Sequence, residues 1–538
     1  MKYFTFKTPI LFTTLLFSFI YTKAQPDTSL QTTPWPEWVF HHWVWEDEST
    51  QQSATNLVDD YIQNGIPVGA IIIDSPWETG YNTFEFDTTL YPDPQGMIDY
   101  LHSKDVRILM WITGIINIDE PTLFNYAKTN NYFMRKDAQD DSTLVKWWKG
   151  EGRLIDFYNP AAVTWWKGLM QKTLDLGIDG WKCDGTDYSV VSTPYSPYLG
   201  KNVNRLNYSY TYYDLFFNTT REVLGKDRII TARPIDNYGF DIGDSSLAAF
   251  SRVETSFAAW VGDQDGTFEG LGKALNNMYH SDQMNYFSFG SDIGGYRDDP
   301  KSPLGRSKEV FIRWAQMGSL CPFMENGGSG EHRPWAFDSE TRDIYKKFTK
   351  LHYDLIPYLM EEGKKAWNGK HSIMQFESKS DYSYKLGSEL FVTPFLVSGT
   401  SINVNFPTGD DWVYVFDSTK VYTGGSSQSL TFPLDEFPVF VKKGSKLFYD
   451  IVASIDNHNT NFRVDLFPNP STGDISITLP KSTNYSITLT DLTGRVVRME
   501  NVINTSSYLL KRNELANGVY NLTVSTNTET FTKKVILQ

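Results

Sequence analysis

The residues best suited to do chemistry stand at the end of Gly177-Ile178-Asp179-Gly180-Trp181-Lys182-Cys183-Asp184. This strand-sized run carries three charges where a buried strand should be apolar. Side chains alternate along a strand, so Lys182 and Asp184 share a face. An ammonium beside Asp184 would lower its pKa and hold it ionised, and an ionised carboxylate at a strand's exit can act as a nucleophile. The competing reading of the octapeptide alone is a surface ion pair that ends an ordinary strand. Asp74 and Glu325 also fall at or beside the ends of apolar runs, so the question is which elements bring those ends together.

From Pro34 to about Gly363 a short apolar run, a polar turn and an amphipathic stretch recur. The pattern predicts strands over Val39 to Trp45, Val68 to Asp74, Val106 to Ile112, Ile178 to Asp184, Arg228 to Ala232, Val253 to Phe257, Met284 to Phe289 and Ser319 to Met324. Helical patterns include Ala54 to Asn64, Met97 to Ser103, Ala161 to Leu176, Phe268 to Tyr279, Ser307 to Met317 and Ser339 to Leu359. Eight strands with intervening helices predict an α/β fold, a (β/α)8 TIM barrel with its chemistry at the strands' carboxyl ends. A doubly wound sheet is the alternative, but no Gly-rich dinucleotide fingerprint opens a helix. The barrel is expected over residues 34–364. Residues 365–447 switch to a period of two and predict a small β-sandwich, 448–461 read as a polar linker, and 462–538 as a second β-sandwich unit.

Composition narrows the partners. A net charge of -15 argues against nucleic acid, which demands a basic footprint. The aromatic content of 15% suits stacking on the flat apolar faces of sugars. Residues 1–24 read as a signal peptide, with Lys2 and Lys7 ahead of an apolar centre from Ile10 to Ile20. No later stretch is long and apolar enough to predict a membrane span. With two cysteines, Cys183 and Cys321, the chain is no disulfide scaffold. They are expected to end strands four and eight on opposite sides of the ring, too far apart to bond, and to remain free thiols.

Several motifs stand in a telling order: Ile73-Asp74, then Phe86-Asp87 and Tyr91-Pro92-Asp93-Pro94, Trp148-Lys149-Gly150, Ile155-Asp156-Phe157-Tyr158-Asn159-Pro160, the stretch through Asp184, Trp260-Val261-Gly262-Asp263, and Gly290-Ser291-Asp292-Ile293-Gly294-Gly295-Tyr296. In that order they resemble glycoside hydrolase family 31, the retaining α-glucosidase and α-galactosidase family, over about Trp35 to Gly444. Trp77-Glu78-Thr79-Gly80-Tyr81 and Trp147-Trp148-Lys149-Gly150-Glu151-Gly152 further resemble the branch that contains the myogenesis-regulating glycosidases. The resemblance implies a (β/α)8 catalytic domain, Asp184 as nucleophile and Asp263 as general acid/base. It places Asp74, Trp148, Arg233, Trp260 and Asp292 around the sugar, beside Lys182. Taken alone, Asp263 reads equally well as a turn carboxylate.

Two departures stand out. The family's Pro-Phe-x-Arg-x-His appears as Pro322-Phe323-Met324-Glu325-Asn326-Gly327, with Glu325 for the arginine and Gly327 for the histidine. Glu331-His332-Arg333 in the following Gly-rich loop restore contacts to hydroxyls, or His332 is a surface loop residue; Glu325 and His332 are therefore kept as substrate-contact candidates. Few residues separate the leader from Trp35, so the family's large N-terminal β-sandwich is not expected, leaving a site more open or completed by another subunit.

The last unit resembles the C-terminal sorting domain of the type IX secretion system, through Leu466-Phe467-Pro468-Asn469-Pro470-Ser471, Asp491-Leu492-Thr493-Gly494-Arg495, Leu515-Ala516-Asn517-Gly518-Val519-Tyr520 and Lys533-Lys534-Val535-Ile536. That implies passage through the periplasm to the exterior or cell surface, with the secretion machinery as partner. An accessory sugar-binding sandwich is the alternative.

Cleaving an acetal needs one acid to protonate the departing oxygen and one carboxylate to meet the oxocarbenium charge. Asp184 and Asp263 fill those roles in a double displacement on an oligosaccharide or α-glycoside, with no cofactor. Asp74 with Asp292 suggests an oxygen-ligand metal site, but recognition of hydroxyls explains both without an ion. The rival functions are a sugar-binding protein on the same fold that has lost catalysis, and a transglycosylase.

Overall fold

The computed structural model describes residues 33–139, 144–186, 194–235, 250–447, 451, 464–469, 471–491, 495–513, 515–526 and 530–537. The leader expected over 1–24 and nearly all of the linker expected over 448–461 lie outside them.

Eight short parallel strands form one sheet: β1 (His42–Glu46), β2 (Ala70–Ile73), β3 (Arg107–Ile112), β4 (Gly180–Cys183), β5 (Ile229–Ala232), β6 (Ala258–Trp260), β7 (Phe289–Gly290) and β8 (Met324–Asn326). Their hydrogen-bonded order is β7-β6-β5-β4-β3-β2-β1-β8. Just past β7, Asp292 pairs with Glu325 in a parallel bridge, and the Ile293 amide donates to the Glu325 carbonyl at 2.9 Å, which draws the two ends of the sheet together. The result is a nearly closed TIM-like barrel. Apolar strands such as Ala70–Ile73 are buried throughout, as parallel strands covered on both faces must be.

Helices alternate with the strands on the outside: α1 (Gln51–Gln63), α2 (Pro94–Ser103), α3 (Pro160–Leu174), α4 (Arg205–Leu224), α5 (Phe268–Gln283), α6 (Lys308–Gly318), α7 (Ser339–Asp354) and α8 (Ile356–Gly369). Thr50 starts α1 with a capping box closed by Ser53. The sequence pattern did not reveal α4, whose buried Tyr208, Tyr212 and Phe216 form an i, i+4 stripe.

Three expectations are corrected. Val253–Thr255, expected in strand six, is a 3-10 turn, and the strand is Ala258–Trp260. Strand eight begins at Met324, so Cys321 lies ahead of it rather than at its end. The helix expected over Ser339 to Leu359 breaks at Leu355, where Pro357 sits in the first turn of α8 and cannot continue an earlier helix. Cys183 and Cys321 are both buried free thiols.

A six-stranded antiparallel sheet follows the barrel, with a two-stranded ribbon of Ser401–Asn405 and Ser427–Thr431 beside it. Its apolar residues belong to the same continuous core as the barrel's, and Arg313 and Gln316 of α6 donate to the carbonyls of Glu436 and Leu434 at 2.8 and 2.7 Å. The C-terminal unit is a five-stranded antiparallel sheet with a separate core that includes Ile477, Ile487, Leu489, Leu522 and Val535. Among the described residues, no helix is long and apolar enough to cross a membrane.

Candidate active site

The carboxyl ends of the barrel strands open into a cleft with about 780 Å3 of open space, part of it continuous with solvent. Asp184 stands at its floor, immediately after β4. Three donors converge on this carboxylate: its neighbour's amide, Gly185 N–H, at 2.8 Å, Arg233 Nη2 at 3.0 Å, and the Trp111 indole at 3.3 Å. They fix the side chain's direction and leave it facing the cleft.

Asp263 follows β6 by way of Gly262, whose φ of +85° is a conformation that side chains other than glycine's adopt at a cost. That turn aims the carboxylate back over the cleft. Arg233 Nη2 also donates to Asp263 Oδ1 at 3.2 Å, so a single guanidinium nitrogen spans both acids. The nearest oxygens of Asp184 and Asp263 therefore lie no farther apart than those two bonds laid end to end, short of the roughly 6.5 Å at which inverting pairs begin. Trp260 lies under the same guanidinium, 4.9 Å from its ring centre.

The partner expected for Lys182 is corrected. Its ammonium donates to Asp74 Oδ2 at 2.9 Å, and the cation beside Asp184 is Arg233. Lys182 also sits 3.5 Å above the Trp45 ring and 5.6 Å from that of Trp260. Burial and the surrounding carboxylates act on it in opposite senses, and the carboxylates win, raising its pKa. Asp74, although bonded to Lys182 and to the Ser75 amide, is pushed up by burial.

Asp292 lines the cleft after β7, and its Oδ1 has no protein partner. Glu325 is fully buried behind it, and neither of its oxygens has a protein partner. The indole N–H of Trp45 lies near Glu325 but makes no bond of proper geometry. Burial pushes Glu325 up to about 7 against the pull of Lys182.

His332, expected either to touch substrate or to lie at the surface, does neither. It is buried, with Nδ1 3.1 Å from the Ile293 carbonyl and from Asn326 Oδ1, and Nε2 3.1 Å from the Ser329 carbonyl. It stitches the loop after β7 to the loop after β8, and burial and the Arg306 charge drive its pKa well below the usual range. Of the ten candidates, Asp74, Trp148, Lys182, Asp184, Arg233, Trp260, Asp263 and Asp292 line the cleft, whereas Glu325 and His332 do not.

The cleft also contains residues that sequence reasoning missed. Trp45 and Trp111 end β1 and β3 and form walls of the cleft, and Tyr296 stacks on Trp45 at 5.9 Å and 17°. Asp47, Ser75, Lys149 and Arg297 complete its lining. The signal for the tryptophans was available, because both lie at the carboxyl end of a predicted barrel strand. Trp148 is at the tip of the hairpin formed by Val145–Trp147 and Gly150–Leu154, 45% exposed. A Cβ at Gly327 would come within 2.3 Å of the Trp45 ring, so the indole occupies the space that a larger residue there would need.

Among the described residues, no group of three or more His, Cys, Asp or Glu side chains could hold a metal ion. The arrangement offers two carboxylates bridged by one guanidinium, beside further carboxyl groups and an ammonium that face the cleft.

Residues 32–362 match the family model of the glycosyl hydrolases family 31 TIM-barrel domain, and residues 370–447 that of the glycosyl hydrolase family 31 C-terminal domain. Residues 465–538 match the secretion system C-terminal sorting domain, which directs the protein by the type IX route to the cell surface or beyond. An alpha-xylosidase of Emericella nidulans is 25% identical over 440 residues, 76% of this chain and 53% of that protein. Alpha-glucosidase 2 of Bacillus thermoamyloliquefaciens is 23% identical over 453 residues, 77% and 53% of the two chains. The chain thus spans about half the length of these curated relatives. Among solved structures, a dextranase of the same family from Flavobacterium johnsoniae superposes with a TM-score of 0.68 at 18% identity, covering 93% of this chain and 61% of that one.

Proposed function

The chain belongs to the glycosyl hydrolases of family 31, and from that premise we propose that it is an exported, exo-acting retaining α-glycosidase that releases a terminal α-linked hexose, of the α-glucosidase or α-galactosidase type. The observation that carries this reading is Arg233 Nη2, 3.0 Å from Asp184 and 3.2 Å from Asp263. A pair held this close suits double displacement rather than direct attack by water.

Asp184 attacks the anomeric carbon and forms a glycosyl ester while Asp263 gives its proton to the leaving oxygen. Asp263 then takes a proton from the water that cleaves the ester, and the sugar leaves with its anomeric configuration retained. Arg233 holds the two carboxylates in register, Trp111 orients Asp184, and Asp74, Lys182 and Asp292 meet the hydroxyls of the bound ring. Trp148, exposed at the mouth, offers a face on which the leaving group can stack.

The test is a panel of aryl α-glucoside, α-galactoside, α-xyloside and α-N-acetylgalactosaminide substrates, followed by a fluorinated version of the best one that leaves the ester slow to hydrolyse. The expected result is one added sugar mass on the peptide that contains Asp184. Turnover without any trapped ester there, or trapping on another residue, would overturn the mechanism.

A further inference from the structure

We propose that Asp292 and Glu325 act as one acid unit across the seam between β7 and β8, in which Asp292 keeps its proton and meets the sugar as a hydrogen-bond donor, and Glu325 is the positioning residue whose neighbouring charge keeps that proton in place. The inference rests on the sugar-binding reading of the cleft and names what that wall recognises: a sugar oxygen that accepts.

Four observations lead to it. The two residues are partners in a parallel bridge, which turns their side chains to the same face. Both are buried, at 1% and 0% exposure. Asp292 Oδ1 and both oxygens of Glu325 have no protein partner. The nearby ammonium, Lys182, already donates to Asp74 at 2.9 Å, so the local positive charge is divided among three carboxyl groups.

The groups that face the pair are Asp74 just past β2, Lys182 from β4, Arg233 just past β5, Asp263 beyond β6 and Arg306 before α6. Arg233 is committed to Asp184 and Asp263, and Arg306 to the carbonyls of Gly294 and Ser329. Two neighbouring carboxylates in a site of low dielectric do not both ionise readily. Burial first, and the Glu325 charge second, push Asp292 well above the usual carboxylate range.

With a proton held on Asp292 the pair carries at most one negative charge, that of Glu325 above about pH 7, and Asp292 has an O–H to donate. Removing the Glu325 charge frees Asp292 to ionise as an ordinary buried aspartate beside Lys182. It then becomes an acceptor only, and a sugar oxygen that had accepted from it is repelled.

The test is the pH profile of KM for the best panel substrate, with Kd of the released monosaccharide from calorimetry as a second readout. In the wild type both should stay flat from about pH 5 to 8. In Glu325→Gln they should rise about tenfold over that interval, the worth of one hydrogen bond, with kcat changed far less. Glu325→Asp, which restores the charge, should return the flat profile.

A flat profile in Glu325→Gln, or an equal rise in the wild type, overturns the proposal while leaving the glycosidase reading intact. Failure of any sugar to bind the wild type overturns both. Unpaired buried oxygens predict that Glu325→Gln folds at least as stably as the wild type, so a variant that does not fold also counts against the proposal.

Discussion

Two carboxylates flank β4, Asp179 before it and Asp184 after it, and they live in opposite surroundings. Asp179 is fully buried, yet it receives His102 Nε2 at 2.7 Å, the Ile108 amide at 3.0 Å and Arg107 Nη1 at 3.1 Å, with Arg228 Nε at 3.5 Å. Burial alone would raise its pKa, but His102, Arg228 and Arg107 outweigh that and lower it. At the other end, Asp74, Asp184, Asp263, Asp292 and Glu325 crowd around Lys182 and Arg233. One end of the strand surrounds one acid with donors, and the other shares two cations among five acids and leaves Asp292 Oδ1 and both Glu325 oxygens without a protein partner. The first arrangement stabilises the barrel; the second leaves acceptors and protons available to a substrate.

The two ends of β4 should differ most in activity at Asp184. Asp184→Asn should lower kcat/KM roughly a thousandfold or more, because it removes the attacking oxygen, while the melting temperature stays close to the wild type's. Near-normal turnover in this variant would mean that the crowded end is not the catalytic one.

Asp179→Asn should do the reverse. It leaves Arg107 and Arg228 without their carboxylate and should cost about 3 kcal/mol of stability, with kcat unchanged well below the melting temperature. The sign with pH follows from the lowered value: the Asp179 contribution is fully present above its ordinary value of 3.8 and is lost as the pH falls through the lower folded-state value. Wild type and variant should therefore converge in acid. Denaturant titrations at pH 7 and pH 3 measure the gap, and an equal gap at both would show that charge is not what Asp179 supplies.

A third variant probes how the crowded end is held. Gly327→Ala places a Cβ about where the Trp45 ring lies, 2.3 Å from its Cδ1. The indole must tilt, and Lys182, 3.5 Å above it, loses its seat. A cost of about 1–3 kcal/mol is expected for such overpacking, together with a higher KM. An unchanged KM would detach Trp45 from sugar binding.

The barrel was legible because it rests on local signals, apolar runs and turns, whereas Trp148, Arg233, Trp260, Asp263 and Asp292 were placed at the cleft by the resemblance to glycoside hydrolase family 31 and not by strand or turn pattern. Alternation correctly put Lys182 and Asp184 on one face but could not name a partner. Side chains inside a barrel meet across it, and Lys182 reaches Asp74 just past β2, two strands away in the ring. Strand six slipped because Val253, Thr255 and Phe257 alternate with Glu254 and Ser256 as in a half-buried strand, whereas Ala258–Trp260 is three residues long and opens with two alanines, poor strand formers. Helix α4 escaped because tyrosine and phenylalanine favour strands, although their spacing of four was helical. His332 and Glu325 were visible as unusual residues in a loop and a strand. What they do depends on burial, which tertiary packing decides.

Glu325 is the extreme of the crowded end, a buried acid whose oxygens have no protein partner, where the equally buried Asp179 has several. Its folded-state value is about 7 against an ordinary 4.5, so the native state holds a proton that the unfolded chain releases. A raised carboxylate favours the fold while both states are protonated, and that advantage is lost as the pH climbs from about 4.5 to about 7. Glutamine at this position does not titrate. The stability of Glu325→Gln relative to wild type should therefore be near its minimum at pH 4.5 and grow, by about 3 kcal/mol, up to pH 8. The same two proteins with Asp179→Asn added should show the same growth, since the two ends of β4 share no partner and their effects should add. A stability difference that does not change with pH would mean that Glu325 is charged, and paired, throughout.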